Sequence, residues 1–418
     1  MVSLSDKLKS LGVRIGTRHL PPPRPRDPYP IERVVPGRFQ ETPHGEVYVV
    51  EKRYPLEHRY GCATLQITAS LRVIAEWASE PRLANAELDT FAFLDTETTG
   101  LAGGTGTYAF LVGVGRYEGG EFHLAQFFMR DPIEEPALLA ALAEFLQPCR
   151  ALVTFNGKGF DVPLLNARYI TNGEQSPLAS IAHLDLLPLA RRLWRPRLPS
   201  RALGYLEQHI LGLARTEEDV PGWVIPSLYF SYLRSGDARA MRSVFYHNAM
   251  DVLSLAALLS HVADLLDDPL SEAIAHGLDL VAIGRMFENL GRLEKAAQLY
   301  KHGLMRNLPD DMYWKAVRWL SFAHKRLGNL SAAVALWRQA ACSGQVYAHV
   351  ELAKFYEHQQ RDYSEAARWT HAALALVNAP EFPPHESRRW RNGLEHRLAR
   401  LHRKLGSYRC ESYLSLSG

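Results

Sequence analysis

Acidic side chains occur in three separated blocks of the sequence, and the first block ends an apolar run. Asp95 and Glu97 stand two residues apart in FAFLDTET, so both carboxylates project from the same face of the predicted strand. Adjacent carboxylates repel each other, and burying them without a cation would cost several kcal/mol. The pair is expected to share a metal ion, although a strand that simply ends in solvent would show the same pattern.

The second and third blocks each contribute one further acid. In ALVTFNGKGFDVPLL a strand is followed by a glycine-rich turn, and Asp161 opens a helix, where it would be either a ligand or an ordinary N-cap. Asp251 lies in YHNAMDVLSLAALL, inside a predicted long helix whose next residues are apolar. An acid in that position is unusual unless it is paired or bound to a metal. The three blocks together indicate one carboxylate-rich site.

Taken in order, FLDTETTGL, TFNGKGFDVPLL and YHNAMDV resemble the exonuclease motifs of the DEDD (DnaQ-like) superfamily, which has the ribonuclease-H-like fold. In this form they are most similar to the bacterial YprB-like group. The resemblance covers about residues 90–265. It implies an enzyme that hydrolyses phosphodiester bonds of DNA or RNA from the 3′ end.

The resemblance also implies a ligand set for two cations. Asp95, Glu97 and Asp251 would bind one ion, Asp95 would bridge to the second, and Asp161 would hold the second directly or through water. Oxygen ligands suit magnesium or manganese and disfavour zinc. With two ions about 3.5–4 Å apart, one activates the attacking water and the other stabilises the leaving 3′ oxygen.

The general base is the point at which this sequence departs from the superfamily. One subgroup places His five residues before the last Asp, and another places Tyr four residues before it. Here Tyr246 is five residues before Asp251 and His247 is four residues before it. A helical spacing of four puts His247 on the face of Asp251, and an imidazole accepts a proton near neutrality more readily than a phenol does. His247 is therefore the predicted base, with local packing of its ring as the alternative.

Contacts to the nucleic acid are expected beside two of the acids. The superfamily places backbone near the terminal nucleotide after the first acids, where Gly103, Gly104 and Gly106 would allow close approach or simply form a bend. Near the second block a lysine and an amide would contact phosphate, unless the lysine is ordinary solvated surface. Asp185 would either cap a helix or support the site. The predicted substrate-binding residues here are Thr98, Gly100, Asn156 and Lys158.

An arginine-rich segment at residues 191–201 reads RRLWRPRLPSR and contains no acid. Arginine pairs with phosphate in a bidentate manner and tryptophan stacks on bases, so Arg192, Arg195 and Arg197 are further predicted substrate contacts. A solvated helix end that runs into a loop would give the same composition. The net charge of +3 is too small to indicate nucleic-acid binding by itself.

The order of elements predicts a ribonuclease-H-like α/β fold, with a mixed sheet flanked by helices, followed by an all-α repeat domain. The predicted order from Phe91 onward is three antiparallel strands, a helix, a strand and a helix. Gly119 and Gly120 mark a hairpin turn between the second and third strands. The expected divisions are an extended arm and accessory segment over 1–85, the nuclease domain over 86–268 and the repeat domain over 269–418.

The repeats themselves appear as LGRLEKAAQLY, LGNLSAAVALW and QRDYSEAARWT, spaced by 37 and then 33 residues. Tetratricopeptide repeats have a period of about 34 residues, and their helix pairs meet through small residues such as Ala296, Ala332 and Ala366. A plain helical bundle with chance alanines is the alternative. A repeat domain would offer a surface for a protein partner.

Composition restricts the setting. Four cysteines lie far apart without metal-site spacing and are expected to be free thiols of a reducing cytoplasm. No apolar run approaches the roughly 20 residues that span a bilayer, and no apolar signal core is present, so neither membrane insertion nor export is expected.

Two other classes of function remain open. The nuclease domain would be a degenerate binding module if it recognised nucleic acid without cutting it, although all four acids are present. The chain would instead be a scaffold if the repeats carried its main function. A P-loop NTPase is excluded, because LAGGTGTYAF lacks the GK[ST] ending that holds phosphate and magnesium.

Overall fold

The computed structural model describes residues 29–100, 106–271 and 274–414, with side chains described to residue 406. The segment 1–28, most of the predicted extended arm, and the glycines Gly103 and Gly104 lie outside the described residues. The chain divides into two compact units. The first unit comprises Met1–Ala69, Glu80–Leu187 and Ala202–Val262, and the second comprises Ser70–Ser79, Pro188–Arg201 and Ala263–Gly418.

A seven-stranded mixed sheet forms the centre of the first unit, in the order β1-β2-β7-β6-β5-β8-β9. Neighbouring strands from β1 through β5 in this order are antiparallel, whereas β8 and β9 continue the sheet in parallel. A separate two-stranded ribbon is formed by β3 and β4. The strands are β1 (Arg38–Thr42), β2 (Gly45–Pro55), β3 (Arg59–Tyr60), β4 (Ala63–Thr64), β5 (Phe91–Thr98), β6 (Ala109–Glu118), β7 (Glu121–Phe128), β8 (Ala151–Thr154) and β9 (Ala182–Asp185).

The predicted hairpin between β6 and β7 is present. Gly119 has φ +62° and Gly120 has φ +82°, a left-handed backbone at both central residues that a side chain would disfavour. Helices of the first unit flank the sheet, as predicted. The helices of the chain up to residue 267 are α1 (Ile31–Val34), α2 (Arg72–Trp77), α3 (Glu135–Leu146), α4 (Asp161–Thr171), α5 (Leu186–Trp194), α6 (Leu203–Leu206, continued by a π-helical turn over Glu207–Leu211), α7 (Ile225–Ser235) and α8 (Met241–Asp267).

Two features differ from the sequence expectation. The segment before residue 86 is not separate from the nuclease domain, because it contributes β1 and β2 to the central sheet. Strand β2 pairs with β7 over eight residue pairs. Residues 182–185 form strand β9 beside β8, an element that is absent from the predicted order. A strand of four residues is too short for its periodicity to be distinguished from the start of the following helix.

The long helix α8 is more apolar over its length than the sequence analysis recognised. It has 27 residues, and an 18-residue window within it has mean hydropathy 1.6, so its length and composition are those of a possible span. However, 72% of that window is buried inside the protein. An apolar helix that is covered on most sides is what a core helix requires.

The second unit consists mainly of consecutive helices that pack against one another. They are α9 (Gly277–Asn289), α10 (Leu293–Leu304), α11 (Asp310–Arg326), α12 (Leu330–Cys342), α13 (Val346–Phe355, continued by a π-helical turn over Tyr356–Gln360), α14 (Tyr363–Asn378) and α15 (Pro384–Leu414). The predicted repeat segments coincide with α10, α12 and α14.

Equivalent positions of the three repeat segments have equivalent structure. The residue two positions before the second helix of each pair takes positive φ, at Gly291 (+77°), Gly328 (+77°) and Arg361 (+54°). The small residues at the helix contacts are Ala296, Ala333 and Ala366, each fully buried. The prediction of Ala332 was therefore wrong by one position, because Ala332 is half-buried and Ala333 is the buried contact residue.

Cysteine side chains carry no disulfide among the described residues. Cys62 and Cys342 are exposed free thiols and Cys149 is a buried one. Cys410 lies where side chains are not described.

Candidate active site

The four predicted acids come together in the first unit at the end of β5. Asp95 and Glu97 lie on β5, Asp161 is the first residue of α4, and Asp251 lies on α8. Burial is the main cause that raises the pKa of Asp95 well above its usual value, and the charges of Asp251, Glu97 and Asp161 add to it. Mutual electrostatic repulsion at close range therefore links all four carboxylates.

Glu97 and Asp161 show the same effect. Burial, followed by the charges of Asp251 and Asp161, raises the pKa of Glu97 well above its usual value. Burial also raises the pKa of Asp161 to about 6, against a hydrogen bond from Thr96 that lowers it. Glu97 and Asp161 are buried, whereas Asp95 keeps a partly accessible edge although protein surrounds most of its carboxylate. An accessible edge on a mostly enclosed carboxylate is suited to a ligand in a cleft.

An amide network that was not predicted holds Asp95. The fully buried Asn248 donates from Nδ2 to both the backbone oxygen and Oδ2 of Asp95, at 3.2 and 3.0 Å. Its Oδ1 accepts a hydrogen bond of 2.9 Å from Gln126 Nε2. Gly113 lies between Asp95 and Gln126 in the sheet, and a Cβ there would be 2.2 Å from Asn248 Oδ1. A glycine is required at this position because the amide occupies the space of its side chain.

An arginine that was also not predicted contacts the site. The guanidinium of Arg215 hydrogen-bonds to Asp251 and pairs with both oxygens of the buried Glu207. Glu207 also accepts a hydrogen bond from Ser254. Arg215 is thus an internal counter-charge for part of the acidic cluster.

His247 faces the acids, as predicted, and is oriented by Asp219. Its Nδ1 lies 2.7 Å from Asp219 Oδ1, and its Nε2 lies 3.6 Å from Asp251 Oδ2 and 4.0 Å from Glu97 Oε1. Asp219 accepts hydrogen bonds only, so this shorter contact favours the tautomer with the proton on Nδ1, whereas Arg215 Nη1, a donor 3.2 Å from the same nitrogen, favours the opposite one. In the tautomer that Asp219 favours, the lone pair of Nε2 points toward the cluster, as a general base requires.

Tyr246 points elsewhere. Its hydroxyl accepts a hydrogen bond of 3.1 Å from Thr216, a residue of the exposed loop that precedes α7. The helical spacing of four rather than five thus decides which of the two side chains reaches the acids.

The glycine-rich turn after β8 is organised by Asp185. The Asp185 carboxylate accepts hydrogen bonds from the backbone N–H groups of Asn156 (2.8 Å), Lys158 (3.2 Å) and Leu187 (3.0 Å). It therefore both caps α5 and fixes the turn that leads to Asp161. Asn156 adopts φ +67°, and the side chains of Asn156 and Lys158 are exposed, where a ligand can reach them.

The predicted contacts after β5 differ in accessibility. Thr98 is buried, and its hydroxyl donates to the backbone oxygen of Gly100 at 3.1 Å. A Cβ at Gly100 or at Gly106 would meet no atom within 4 Å, so neither glycine is required by close packing in the described structure. The backbone at Gly100 is open to a ligand.

The predicted arginine contacts belong to the second unit, whereas the acids belong to the first. Arg195 is exposed, and Arg192 is half-buried. Arg197 forms a 2.9 Å ion pair with the buried Asp279, so its charge is already neutralised within the unit.

The carboxylate oxygens of the cluster are the kind of ligand that a hard divalent cation prefers, although the side chains are not arranged as a complete coordination shell. Four carboxylates that repel one another, with oxygen donors alone, are the ligands that magnesium and manganese prefer. Among the described residues, no three His, Cys, Asp or Glu side chains converge as a coordination shell. Three of the acids instead hold hydrogen bonds from Thr96, Asn248 and Arg215.

Charge removal at Glu97 is predicted to stabilise the metal-free protein. The folded pKa of Glu97 is raised, so its ionised form opposes folding, and stability falls as pH rises through that pKa. Glu97→Gln should therefore melt at a higher temperature than wild type in EDTA at pH 7.5.

Manganese should reverse that order. At a hundredfold excess over Kd, a bound ion adds about 2.7 kcal/mol, which is about 5–11 °C for a domain of this size. Wild type should gain that shift and Glu97→Gln should gain much less, measured by differential scanning fluorimetry. Equal shifts for the two proteins would remove Glu97 from the ligand set.

Comparison with known proteins defines the class to which this fold and site belong. Residues 92–263 match the RNase_H superfamily, and residues 280–312 match a tetratricopeptide repeat. Residues 92–263 are thus an RNase_H superfamily domain, and the prediction of tetratricopeptide repeats over a plain bundle is confirmed at residues 280–312. Membership of this superfamily supports a nuclease-type function, and proteins of the superfamily typically use divalent metals.

The chain belongs to the family of YprB from Bacillus subtilis (strain 168). The two are 30% identical over 367 residues, which is 85% of this chain and 86% of that protein. A solved family B DNA polymerase from the archaeon Pyrobaculum calidifontis aligns with 51% of this chain and 29% of its own at 18% identity. Its TM-score of 0.33 is too low to bear on function.

Proposed function

We propose that the first unit is a divalent-metal-dependent exonuclease that removes nucleotides from the 3′ end of DNA or RNA. The observation that carries the proposal is the convergence of Asp95, Glu97, Asp161 and Asp251 with the Nε2 atom of His247. Such a cluster serves little structural purpose, because its ionised side chains oppose one another.

Each residue has a distinct role in the proposed reaction. Asp95, Glu97 and Asp251 would hold one magnesium or manganese ion, and Asp95 and Asp161 the second. When bound, the two ions would neutralise the scissile phosphate and lower the pKa of the attacking water. His247 Nε2 would accept the proton of that water, and Asp219 would stabilise the imidazolium that forms.

The substrate contacts would come from the exposed rim of the site. Asn156 and Lys158 would bind phosphate beside Asp161, since both side chains are exposed at the turn that Asp185 holds. Backbone at Thr98 and Gly100 would lie along the terminal nucleotide.

A catalytically weak binding or scaffold protein is the second candidate, and the Arg215 contact favours it. An arginine that pairs with Asp251 supplies internally part of the positive charge that a metal would bring. Under this alternative, substrate binds but is not cut, with or without metal.

End-labelled oligonucleotides distinguish the two candidates. We expect 5′-labelled single strands to give a ladder of products shortened one nucleotide at a time, in manganese but not in EDTA. A 3′-terminal phosphorothioate linkage should slow the first step, because it perturbs the bond that is cut first. Internal cuts in a circular strand would contradict an exonuclease, and binding without any products would favour the scaffold.

A further inference from the structure

An open cavity of about 630 Å³ lies within the second unit and is lined by arginines and an aromatic ring. Trp77 of α2 and Met312 of α11 form part of its wall, and Arg191, Arg192 and Arg195 contribute its charge. The volume is within the range of about 300–1,000 Å³ that ligand sites occupy. The cavity is formed entirely by residues of one compact unit.

Some arginines of the arginine-rich segment already have partners within the protein, whereas others do not. Arg197 is paired with Asp279, and Arg201 donates to the backbone oxygens of Leu198 and Pro199. Arg191 and Arg195 are exposed, and within the described part of the chain neither side chain has a hydrogen-bond or ion-pair partner. The two available guanidinium groups line the cavity.

Two side-chain nitrogens of Arg192 have no hydrogen-bond partner in the described part of the protein. Its Nε and Nη2 atoms are shielded from solvent and have no hydrogen-bond acceptor among the described residues. The nearby acid Glu288 already pairs with Arg285 at 2.5 Å and with Arg326 at 3.5 Å. Shielded guanidinium nitrogens without an acceptor are costly unless a bound group supplies one, and an anion would do so.

We infer that this cavity, which we call the Trp77 pocket, binds single-stranded nucleic acid, with a base against Trp77 and the flanking phosphates on Arg191, Arg192 and Arg195. Guanidinium groups alternating with an aromatic face are what strand-binding surfaces combine. A duplex keeps its bases stacked, so only an unpaired strand presents a base to the half-buried indole. The choice of nucleic acid over an acidic peptide rests on the proposed nuclease function.

Binding to the full chain in EDTA tests this inference independently of cleavage. The probe is a fluorescein-labelled 20-nucleotide single strand, as DNA and as RNA, followed by anisotropy between 50 and 200 mM salt. Arg191→Glu/Arg195→Glu should reduce the slope of log K against log salt by about 1.4, and should weaken binding roughly 60-fold at 50 mM.

Matched variants distinguish binding at the Trp77 pocket from a general effect of positive charge. Arg388→Glu/Arg389→Glu changes two exposed arginines of α15 by the same total charge, and it should have a much smaller effect. Trp77→Leu should weaken binding about fivefold or more, whereas Trp77→Phe should retain most affinity because it keeps a stacking face.

Three outcomes would overturn the inference. Equal losses of affinity for the two arginine pairs would show that positive charge alone binds the strand. Unchanged affinity in Trp77→Leu would show that no base stacks on Trp77. Equal affinity for a glutamate-rich peptide with the same sensitivity to these variants would make the occupant an acidic protein segment. If the pocket binds strands but no metal supports cleavage, the proposed function fails while the pocket stands.

Discussion

Asp95→Asn should lower metal-dependent nuclease turnover by about 100-fold or more. A neutral amide cannot offset the charge of a divalent cation, and Asp95 is the acid expected to bridge both ions. Initial rates with a 5′-labelled single strand, measured over a range of manganese concentrations, would check this. Glu97→Gln and Asp251→Asn are expected to act in the same direction.

The control for this result is an acid-to-amide change outside the cluster. Asp89→Asn removes an exposed carboxylate shortly before β5 and should leave turnover unchanged. Far-ultraviolet circular dichroism and melting should show that Asp95→Asn is folded. A rate within about threefold of wild type, less than 1 kcal/mol in the barrier, would exclude Asp95 as a ligand.

His247→Ala should lower turnover by about 100- to 10,000-fold, whereas Tyr246→Phe should change it little. The Nε2 atom of His247 faces Glu97 and Asp251, while the Tyr246 hydroxyl is bonded to Thr216. Both variants should be measured at saturating manganese, so that altered metal affinity is not mistaken for lost proton transfer.

Asp219→Asn refines the same test. It keeps the imidazole but replaces the carboxylate 2.7 Å from Nδ1, which favours a proton on that nitrogen, so turnover should fall between wild type and His247→Ala. If Tyr246→Phe is damaging and His247→Ala is mild, the assignment of the base is wrong.

Local patterns in the sequence were sufficient to predict much of the fold and the acidic cluster. The hairpin at Gly119 and Gly120 follows from residues that tolerate positive φ, and the position of His247 relative to Asp251 follows from helical spacing. Both depend on residues close in sequence, so one sequence contains the necessary information.

Contacts between distant segments could not be obtained in the same way. Asn248 was not recognised as a partner of Asp95, because its role depends on the cross-strand alignment of Asp95, Gly113 and Gln126. Arg215 and Asp219 lie in a loop without periodicity, and only the folded chain brings them to His247 and Asp251. Gly113 in VGVGRY, opposite a strand that ends in acids, was the one local signal for such a network.

The position of the arginine-rich segment also depended on the fold. Its composition indicated phosphate binding, but it did not show that Asp279 neutralises Arg197 or that Trp77 lies beside Arg191 and Arg195. These partners are more than 80 residues away in the chain, and nothing in one sequence pairs them.

The central claim is that the carboxylate cluster cuts phosphodiester bonds with divalent metal, and metal-dependent release of mononucleotides tests it most directly. Purified wild type and Asp95→Asn should be incubated with uniformly labelled single-stranded DNA and RNA in EDTA, magnesium or manganese. We expect mononucleotides from wild type only when a divalent ion is present, and at most trace amounts from Asp95→Asn. Release in EDTA, equal release by the two proteins, or no release from either substrate would contradict the claim.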